Sequence, residues 1–207
     1  MKSSEKARKT IFFNDRSFHV SENVYEPAED TFLLAENLPI NKDDVVLDMG
    51  TGCGILGILA AEKAKKVVAV DLNPHAVRCA RMNAKLHGVI RKMDIRQGDL
   101  FQSLKKNEKF DLIIFNAPYL PSEAWEHRTW LGRAWVGGPT GRQLIDRFIS
   151  EAPRCLEKGG RILLVQSTLS NVEETMRKLE EKGLEVAVVA ERKVAFETIV
   201  LIQAKRR

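Results

Sequence analysis

The chain has 207 residues, of which 44% are hydrophobic and 29% are charged, a balance typical of a soluble domain with a full core. Its formal net charge of +5 resides at the two ends, because residues 1–9 and 205–207 carry +3 each and the rest sums to −1. This distribution argues against a basic groove for nucleic acid, and no apolar run approaches the roughly 18 residues that span a bilayer.

The organisation expected from these features is one domain over residues 1–207, with an N-terminal extension (1–23), a core (24–203) and a basic tail (204–207). The first ten residues lack the apolar stretch of a signal peptide, so we expect a cytoplasmic protein. The basic ends are interpreted as solubilising segments, or as weak docking segments for a nucleic-acid-rich neighbour. The three cysteines form no CxxC pair and the four histidines are scattered, which predicts neither disulfides nor a bound metal.

Short runs rich in Val, Ile and Leu alternate with segments of helical periodicity. The predicted strands are 45–49, 66–71, 93–97, 110–115, 161–167, 184–191 and 197–203, and the predicted helices are 54–64, 74–88 and 141–160. Nearly continuous apolar strands that alternate with helices are typical of a parallel sheet covered on both faces. The last two strands have no helix-length segment between them, so they should pair antiparallel with residues 191–193 near the turn. The predicted fold class is α/β, with a mostly parallel seven-stranded sheet.

Two helix boundaries carry specific signals. Asn73 suits the N-cap of the second predicted helix, and Pro74 suits its first position. The glycines in KGG, residues 158–160, predict the end of the third helix.

The first predicted strand ends in a glycine-rich stretch, LDMGTGCGILG. Ligands of open parallel sheets bind at the carboxyl ends of the strands, and Gly50, Gly52 and Gly54 allow a sharp turn with close backbone approach. The same stretch satisfies the GxGxxG pattern of nicotinamide cofactor sites. Asp48 favours a different ligand, because a carboxylate beside the loop opposes a pyrophosphate and attracts the ammonium or sulfonium of S-adenosylmethionine.

Acidic residues also follow the next two strands. Asp71 ends the second strand, 23 residues after Asp48, where a carboxylate can accept both hydroxyls of a ribose. Asp99 follows the third strand and can accept from the amino group of an adenine. Acids at the ends of three successive strands around a glycine loop predict an adenosine-containing cofactor.

Four stretches in this order and spacing, VLDMGTGCGILGI, AVDLNPHAV, QGDLF and IIFNAPYLP, resemble the class I S-adenosylmethionine-dependent methyltransferases, which have a Rossmann-like fold. The last stretch resembles the Asn-Pro-Pro-Tyr signature of enzymes that methylate amide or exocyclic amino nitrogens. VYEPAEDTFLL (24–34) and AWVGGPTGRQLIDRF (134–148) resemble the short, archaeal and eukaryotic HemK-like branch. That branch methylates the glutamine of the GGQ motif in class I translation release factors.

The resemblance implies a role for each motif position. Thr31 closes over the methionine part of the cofactor, and the first-strand motif cradles it through Asp48, Gly50, Gly52 and Gly54. The ribose is held by Asp71 and Leu72, and the adenine is framed by Asp99 and Leu100. Asn116 bridges the cofactor and the acceptor.

The stretch Asn116, Ala117, Pro118 and Tyr119 is implied to be catalytic. In the family, the Asn side chain and the carbonyl of the next residue accept hydrogen bonds from the target –NH2 group, and the Tyr ring packs on its flat face. Ala117 stands where the family pattern has proline, but alanine supplies the same carbonyl, and the following Pro118 favours an extended conformation there.

The acceptor and the partners remain open at the level of sequence. The favoured acceptor is the GGQ glutamine, and the alternatives are the N6 amine of adenine in DNA or a non-catalytic module that binds S-adenosylmethionine. Trp125, Trp130 and Trp135 follow the motif, and they form either a self-packed loop or a groove for a glycine-rich protein loop.

The HemK-like branch also implies a partner protein. Its members work with a small zinc-binding activator subunit, which adds a strand to the sheet edge. The third predicted strand and the residues before it, VIRKMDIRQ (89–97), would be that edge, with Ile90, Met93 and Ile95 as contacts unless they pack on the chain's own helices.

Overall fold

The computed structural model describes residues 9–122 and 128–207. Its main sheet has seven strands in the order β5-β4-β3-β6-β7-β9-β8, preceded in the chain by a separate two-stranded sheet, β1-β2. The strands are β1 (Lys9–Phe13), β2 (Arg16–Val20), β3 (Val45–Met49), β4 (Lys66–Asp71), β5 (Met93–Gln97), β6 (Phe110–Asn116), β7 (Leu156–Ser167), β8 (Leu184–Lys193) and β9 (Thr198–Arg206). The five strands from β5 to β7 run parallel, and β9 pairs antiparallel with both β7 and β8. The predicted α/β class and the antiparallel C-terminal pair are thus confirmed.

In the described part of the chain, five α-helices connect and cover these strands. They are α1 (Glu29–Glu36), α2 (Ile55–Lys63), α3 (Pro74–Leu86), α4 (Gln143–Glu151) and α5 (Val172–Glu181). Helix α2 contacts both α1 and α3, whereas α4 contacts α5. The start of α3 is as predicted, since the Asn73 side chain accepts a hydrogen bond from the His75 N–H at 2.9 Å and Pro74 occupies the first turn. Among the described residues, no helix combines the length and the hydropathy needed to cross a membrane.

The core explains why the central strands appear in the sequence as continuous apolar runs. In β3, β4 and β6 nearly every side chain is buried, including Val46, Leu47, Val68 and Ile113 with no exposed surface. A strand covered on both faces has no solvent side that would favour polar residues. The strands are therefore held rigidly, and their carboxyl ends provide a fixed platform for the loops that follow them.

The N-terminal hairpin was not anticipated, since residues 1–23 were expected to be an extension. Strands β1 and β2 are joined by Asn14 and Asp15, which both have positive φ (44° and 61°), the backbone of a tight hairpin turn. Phe18 is fully buried and stacks on the His87 ring at 4.6 Å between centroids. The described part of the expected extension therefore packs on α3 through β2.

Two predicted boundaries are wrong. Helix α4 ends at Glu151 and continues only as a 3-10 turn, because Pro153 lacks the N–H that an α-helix needs. KGG consequently lies within β7, and Gly159 (φ 75°) sits where β6 and β7 shift register. At the C-terminus, β9 continues through Arg206, so most of the expected basic tail forms part of the sheet.

The expected sheet edge is present, but its side chains differ from the expectation. Strand β5 has one neighbour, β4, among the described strands. Met93 and Ile95 are 8% and 6% exposed and belong to the chain's own core, and Ile90 is partly buried against it. The alternation of β5 turns its apolar residues inward, so the edge offers mainly backbone groups to a partner strand.

Candidate active site

A cavity of about 540 Å³ lies at the carboxyl ends of β3, β4, β5 and β6. Its lining comes from the loops after these strands, from α1 and the segment before it, and from the stretch that leads into α4. The lining includes these predicted site residues: Thr31, Gly50, Gly52, Asp71, Leu72, Asp99, Leu100, Asn116, Ala117, Pro118 and Tyr119. Asp48 and Gly54 are not among the lining residues, and each supports the glycine loop from behind.

The glycine loop turns sharply at the end of β3. Gly50 and Gly52 have φ of 67° and 58°, which glycine adopts without steric cost. The N–H groups of Gly50 and Thr51 both donate to the carbonyl of Val70 on β4, at 2.8 and 3.0 Å, and this anchors the loop to the sheet. A Cβ on Gly54 (φ 91°) would lie 3.0 Å from Ala80, so Gly54 allows the loop to pack closely on α3.

Asp48 lies beneath this loop and is 1% exposed. Its Oδ2 accepts a hydrogen bond from the Thr51 hydroxyl at 2.6 Å, whereas its Oδ1 has no hydrogen-bond partner among the described residues. Burial raises the pKa of the Asp48 carboxyl to about 7, against the lowering effect of hydrogen bonds from Thr51 and the Gly57 N–H. The carboxylate is thus held in an environment that a nearby positive charge would improve.

The second and third acids occupy the rim of the cavity. Asp71 accepts the N–H of Gly52 and the N–H of Asn73, one on each oxygen and both at 2.8 Å. Desolvation raises the pKa of the Asp71 carboxyl despite these two donors. Asp99 instead accepts from Arg147 of α4 at 2.8 Å, through Oδ2. Asp99, which lines the cavity, is therefore already paired with a cation.

At the end of β6, Asn116 contacts a residue of α1. Its Nδ2 donates to the Thr31 hydroxyl oxygen at 3.1 Å. Its Oδ1 is buried and has no hydrogen-bond partner among the described residues. A buried amide oxygen without a donor costs about 1–3 kcal/mol, and such a cost is common where a ligand completes the contact.

Tyr119 is anchored by the carboxylate of Asp30, the residue that precedes Thr31 in EPAEDT. Asp30, 5% exposed, accepts from Tyr25 Oη at 3.0 Å and from Tyr119 Oη at 3.4 Å. Burial, and after it the charge of Asp30, raises the pKa of both phenols, so both remain protonated donors at neutral pH. The signal for this cluster is the acid pair in EPAEDT, whose second member is buried.

The segment that begins at residue 128 completes one wall of the cavity. Trp130 and Trp135 line it, and the guanidinium of Arg133 lies 5.0 Å from the centre of the Trp130 ring. Leu120 pairs with this segment through backbone hydrogen bonds to Trp135 and Gly137, at 3.0 and 2.9 Å. The two described tryptophans thus line the cavity, whereas Trp125 lies outside the described residues.

Gly141 provides a test of how this wall positions the stretch 116–119. It has φ 71°, and an added Cβ would collide with the carbonyl oxygen of Tyr119. We expect Gly141→Ala to lower the free energy of unfolding by about 1–3 kcal/mol through overpacking and to reduce activity by displacing Tyr119. Urea unfolding and a methyl-transfer assay measure the two effects. Gly159→Ala is the matched control, since its φ is 75° but no atom of the residues that the structure describes lies within 4 Å of the added Cβ. Full activity in Gly141→Ala would contradict the expectation.

The comparisons with known proteins show the family to which this chain belongs. The pattern of the family described as Methyltransferase small domain matches residues 21–131. A putative protein N5-glutamine methyltransferase of Methanocaldococcus jannaschii is 45% identical over 185 residues, which cover 88% of this chain and 92% of that protein. Methyltransferase HEMK2 of Homo sapiens is 32% identical over 194 residues, 87% of this chain and 89% of HEMK2.

A solved structure shows the same architecture. One chain of the E. cuniculi Mtq2–Trm112 complex, responsible for the methylation of the eRF1 translation termination factor, superposes with a TM-score of 0.70 and 27% identity. The match covers 89% of this chain and 99% of that chain. Taken with the sequence motifs and the cavity that they line, these similarities establish that the chain belongs to the Methyltransferase small domain family, in its HemK-like group.

Proposed function

We propose that the chain transfers a methyl group from S-adenosylmethionine to the side-chain amide nitrogen, N5, of the GGQ glutamine in a class I translation release factor. The observation that carries this proposal is the state of Asn116. Its Nδ2 is held by Thr31, and its buried Oδ1 is left as an acceptor without a donor. An –NH2 group is the donor that would satisfy it. The kinds of substrate named for the relatives, a protein glutamine and a termination factor, supply the acceptor class.

The residues present fit S-adenosylmethionine. The open side of the glycine loop has room for a ligand, because a Cβ added to Gly52 would meet one atom, the Gly50 carbonyl oxygen at 4.0 Å. Asp71 and Leu72 are proposed to hold the ribose, and Asp99 and Leu100 the adenine. From beneath the loop, the Asp48 carboxylate would offset the positive charge of S-adenosylmethionine. Bound there, S-adenosylmethionine supplies a methyl group on a positively charged sulfur.

The protein's own part in the reaction is to bind and orient the acceptor. An amide nitrogen is a poor nucleophile because its lone pair is conjugated with the carbonyl, and full loss of that conjugation costs about 18–20 kcal/mol. Asn116 Oδ1 and the Ala117 carbonyl are proposed to accept the two N–H groups, which stabilises positive charge as it develops on the nitrogen. Tyr119 is proposed to pack on the flat face of the amide. Fixing the nitrogen in this way supplies up to roughly 7–11 kcal/mol of the barrier reduction.

The proposal includes a small activator subunit on the free edge of β5. Strand addition to an exposed edge uses backbone hydrogen bonds, and β5 presents that edge. The Mtq2–Trm112 complex provides a precedent for a two-chain assembly. We further propose that this subunit binds zinc and that the complex acts in the cytoplasm, where release factors work.

The test uses radiolabelled S-adenosylmethionine, with and without the activator. The acceptors are a class I release factor, its GGQ Gln→Ala variant, and duplex and single-stranded DNA. Label on the wild-type factor that disappears in the variant is the expected result. Label on DNA alone would assign the enzyme to the adenine class. Measurable cofactor binding with no label on any acceptor would identify a non-catalytic module.

A further inference from the structure

We infer that Asp30 and Thr31 together determine the orientation of the Asn116 amide, with Asp30 acting as a positioning residue. The inference rests on the proposed transfer to an –NH2 group, since that reaction needs a hydrogen-bond acceptor at the position of Asn116 Oδ1. It assigns to Thr31 a role other than closure over the cofactor, and it assigns to Asp30 a role that the sequence motifs did not indicate.

Asp30 is the centre of the arrangement. Its carboxylate is 5% exposed and accepts from the Thr31 N–H at 2.5 Å and from the Thr31 hydroxyl at 3.1 Å, both through Oδ1. Tyr25 and Tyr119 contact the same carboxylate through their hydroxyls. A carboxylate can only accept hydrogen bonds, so the Thr31 hydroxyl must use its proton towards Asp30.

The proton count then fixes the next contact. A hydroxyl has one proton, and once it points to Asp30 the Thr31 oxygen can act towards Asn116 only as an acceptor. The Asn116 group that faces Thr31 at 3.1 Å must therefore be the –NH2 end of the amide. The two ends of a side-chain amide have nearly the same shape, so hydrogen-bond polarity, not packing, selects between them.

The orientation of the Asn116 amide determines which of its two ends faces the substrate. With Nδ2 held by Thr31, the carbonyl end, Oδ1, is left unpartnered and accepts an N–H of the acceptor. If the Asn116 amide were reversed, its N–H groups would face the N–H groups of the substrate amide, and no hydrogen bond could form. Asp30 also anchors Tyr119, so one buried carboxylate positions both side chains that we propose touch the acceptor amide.

Thr31→Val tests the inference with little change in shape. Valine keeps the size of threonine but cannot accept from Asn116, so the amide loses its preferred orientation. We expect kcat to fall on the order of tenfold, the equivalent of one hydrogen bond, whereas Thr31→Ser should stay within about twofold of wild type. The matched control is Thr175→Val, because Thr175 is also a buried threonine whose hydroxyl accepts a hydrogen bond, from Arg142, but it lies away from the cavity. It should leave kcat unchanged.

A second variant at position 116 separates the loss of amide orientation from a general structural defect caused by Thr31→Val. Asn116→Ala leaves no amide to orient, so adding Thr31→Val to it should change its residual kcat by less than about twofold. An equal loss in both backgrounds, or a loss in Thr31→Ser as large as in Thr31→Val, would overturn the inference.

An NMR readout keeps the inference testable if no acceptor is methylated. The Asn116 side-chain 15N–1H2 signals, assigned by their loss in Asn116→Ala, should show slow hydrogen exchange in the wild type and in Thr31→Ser. Exchange should become faster in Thr31→Val. Unchanged exchange would refute the Thr31 contact. A different result, the absence of label on the release factor, would contradict the proposed function.

Discussion

Replacing Asn116 with alanine is expected to lower kcat for methyl transfer by about 10²–10³-fold, the cost of removing one preorganised hydrogen-bonding group from a developing charge. The wild-type Oδ1 is buried without a donor, so its desolvation is already complete before the acceptor arrives. Its interaction is therefore strongest when positive charge appears on the nitrogen, and kcat and kcat/KM should fall together.

Steady-state kinetics on the release factor, together with calorimetric titration of the cofactor, measure this effect. Cofactor affinity should change far less than kcat, because the neighbouring contacts of the glycine loop and of Asp71 remain. Asn171→Ala is the control, since Asn171 caps α5 away from the cavity and its loss should cost about 1 kcal/mol of stability without slowing transfer. A variant with normal kcat and only weaker cofactor binding would show that Asn116 serves the cofactor instead.

Replacing Asp48 with asparagine should remove a strong pH dependence of stability. The pKa of the Asp48 carboxyl is raised from 3.8 to about 7 in the folded state, so the folded protein binds this proton more tightly than the unfolded chain does. The stabilisation is fully present below the unfolded pKa and is lost as the pH rises through about 7. The loss amounts to ~4 kcal/mol for the group alone. An asparagine side chain cannot ionise, so the ligand-free Asp48→Asn variant should be more stable than the wild type at about pH 8.

Urea unfolding at about pH 5 and about pH 8 provides the measurement. Asp44→Asn is the control whose slope between these two pH values should equal that of the wild type. Although desolvation raises the pKa of Asp44, hydrogen bonds from Arg161 and Asn41 lower it overall, so its stabilisation is lost only as the pH falls below the ordinary value of 3.8. Cofactor affinity should also rise with pH through about 7 in the wild type and not in Asp48→Asn, because a bound cation favours the ionised carboxylate. Equal pH slopes in the wild type and Asp48→Asn would refute the assignment.

Much of the fold and the outline of the site could be predicted from local patterns. The apolar runs that became β3, β4 and β6 are recognisable because a strand buried on both faces tolerates few polar residues. Parallel strands bring their carboxyl ends together, so the glycine loop, Asp71 and Asn116 had to meet at one edge. The motifs thus indicated both the family and most of the cavity's lining.

The remaining features depend on contacts between residues distant in sequence, which no local pattern encodes. The helix predicted through KGG ends at Glu151, ahead of Pro153, and the chain then enters β7 at Leu156, where pairing with β6 outweighs the helical pattern. Asp30, in α1, acts on Asn116, 86 positions later in the chain, through Thr31. Arg147 reaches Asp99 across the cavity rim. Residue types and their order were sufficient to predict the parallel sheet, the site at its strand ends and the class of ligand. The orientation of the Asn116 amide and the raised pKa of Asp48 depend on the tertiary structure, because folding buries these groups beside residues distant in sequence.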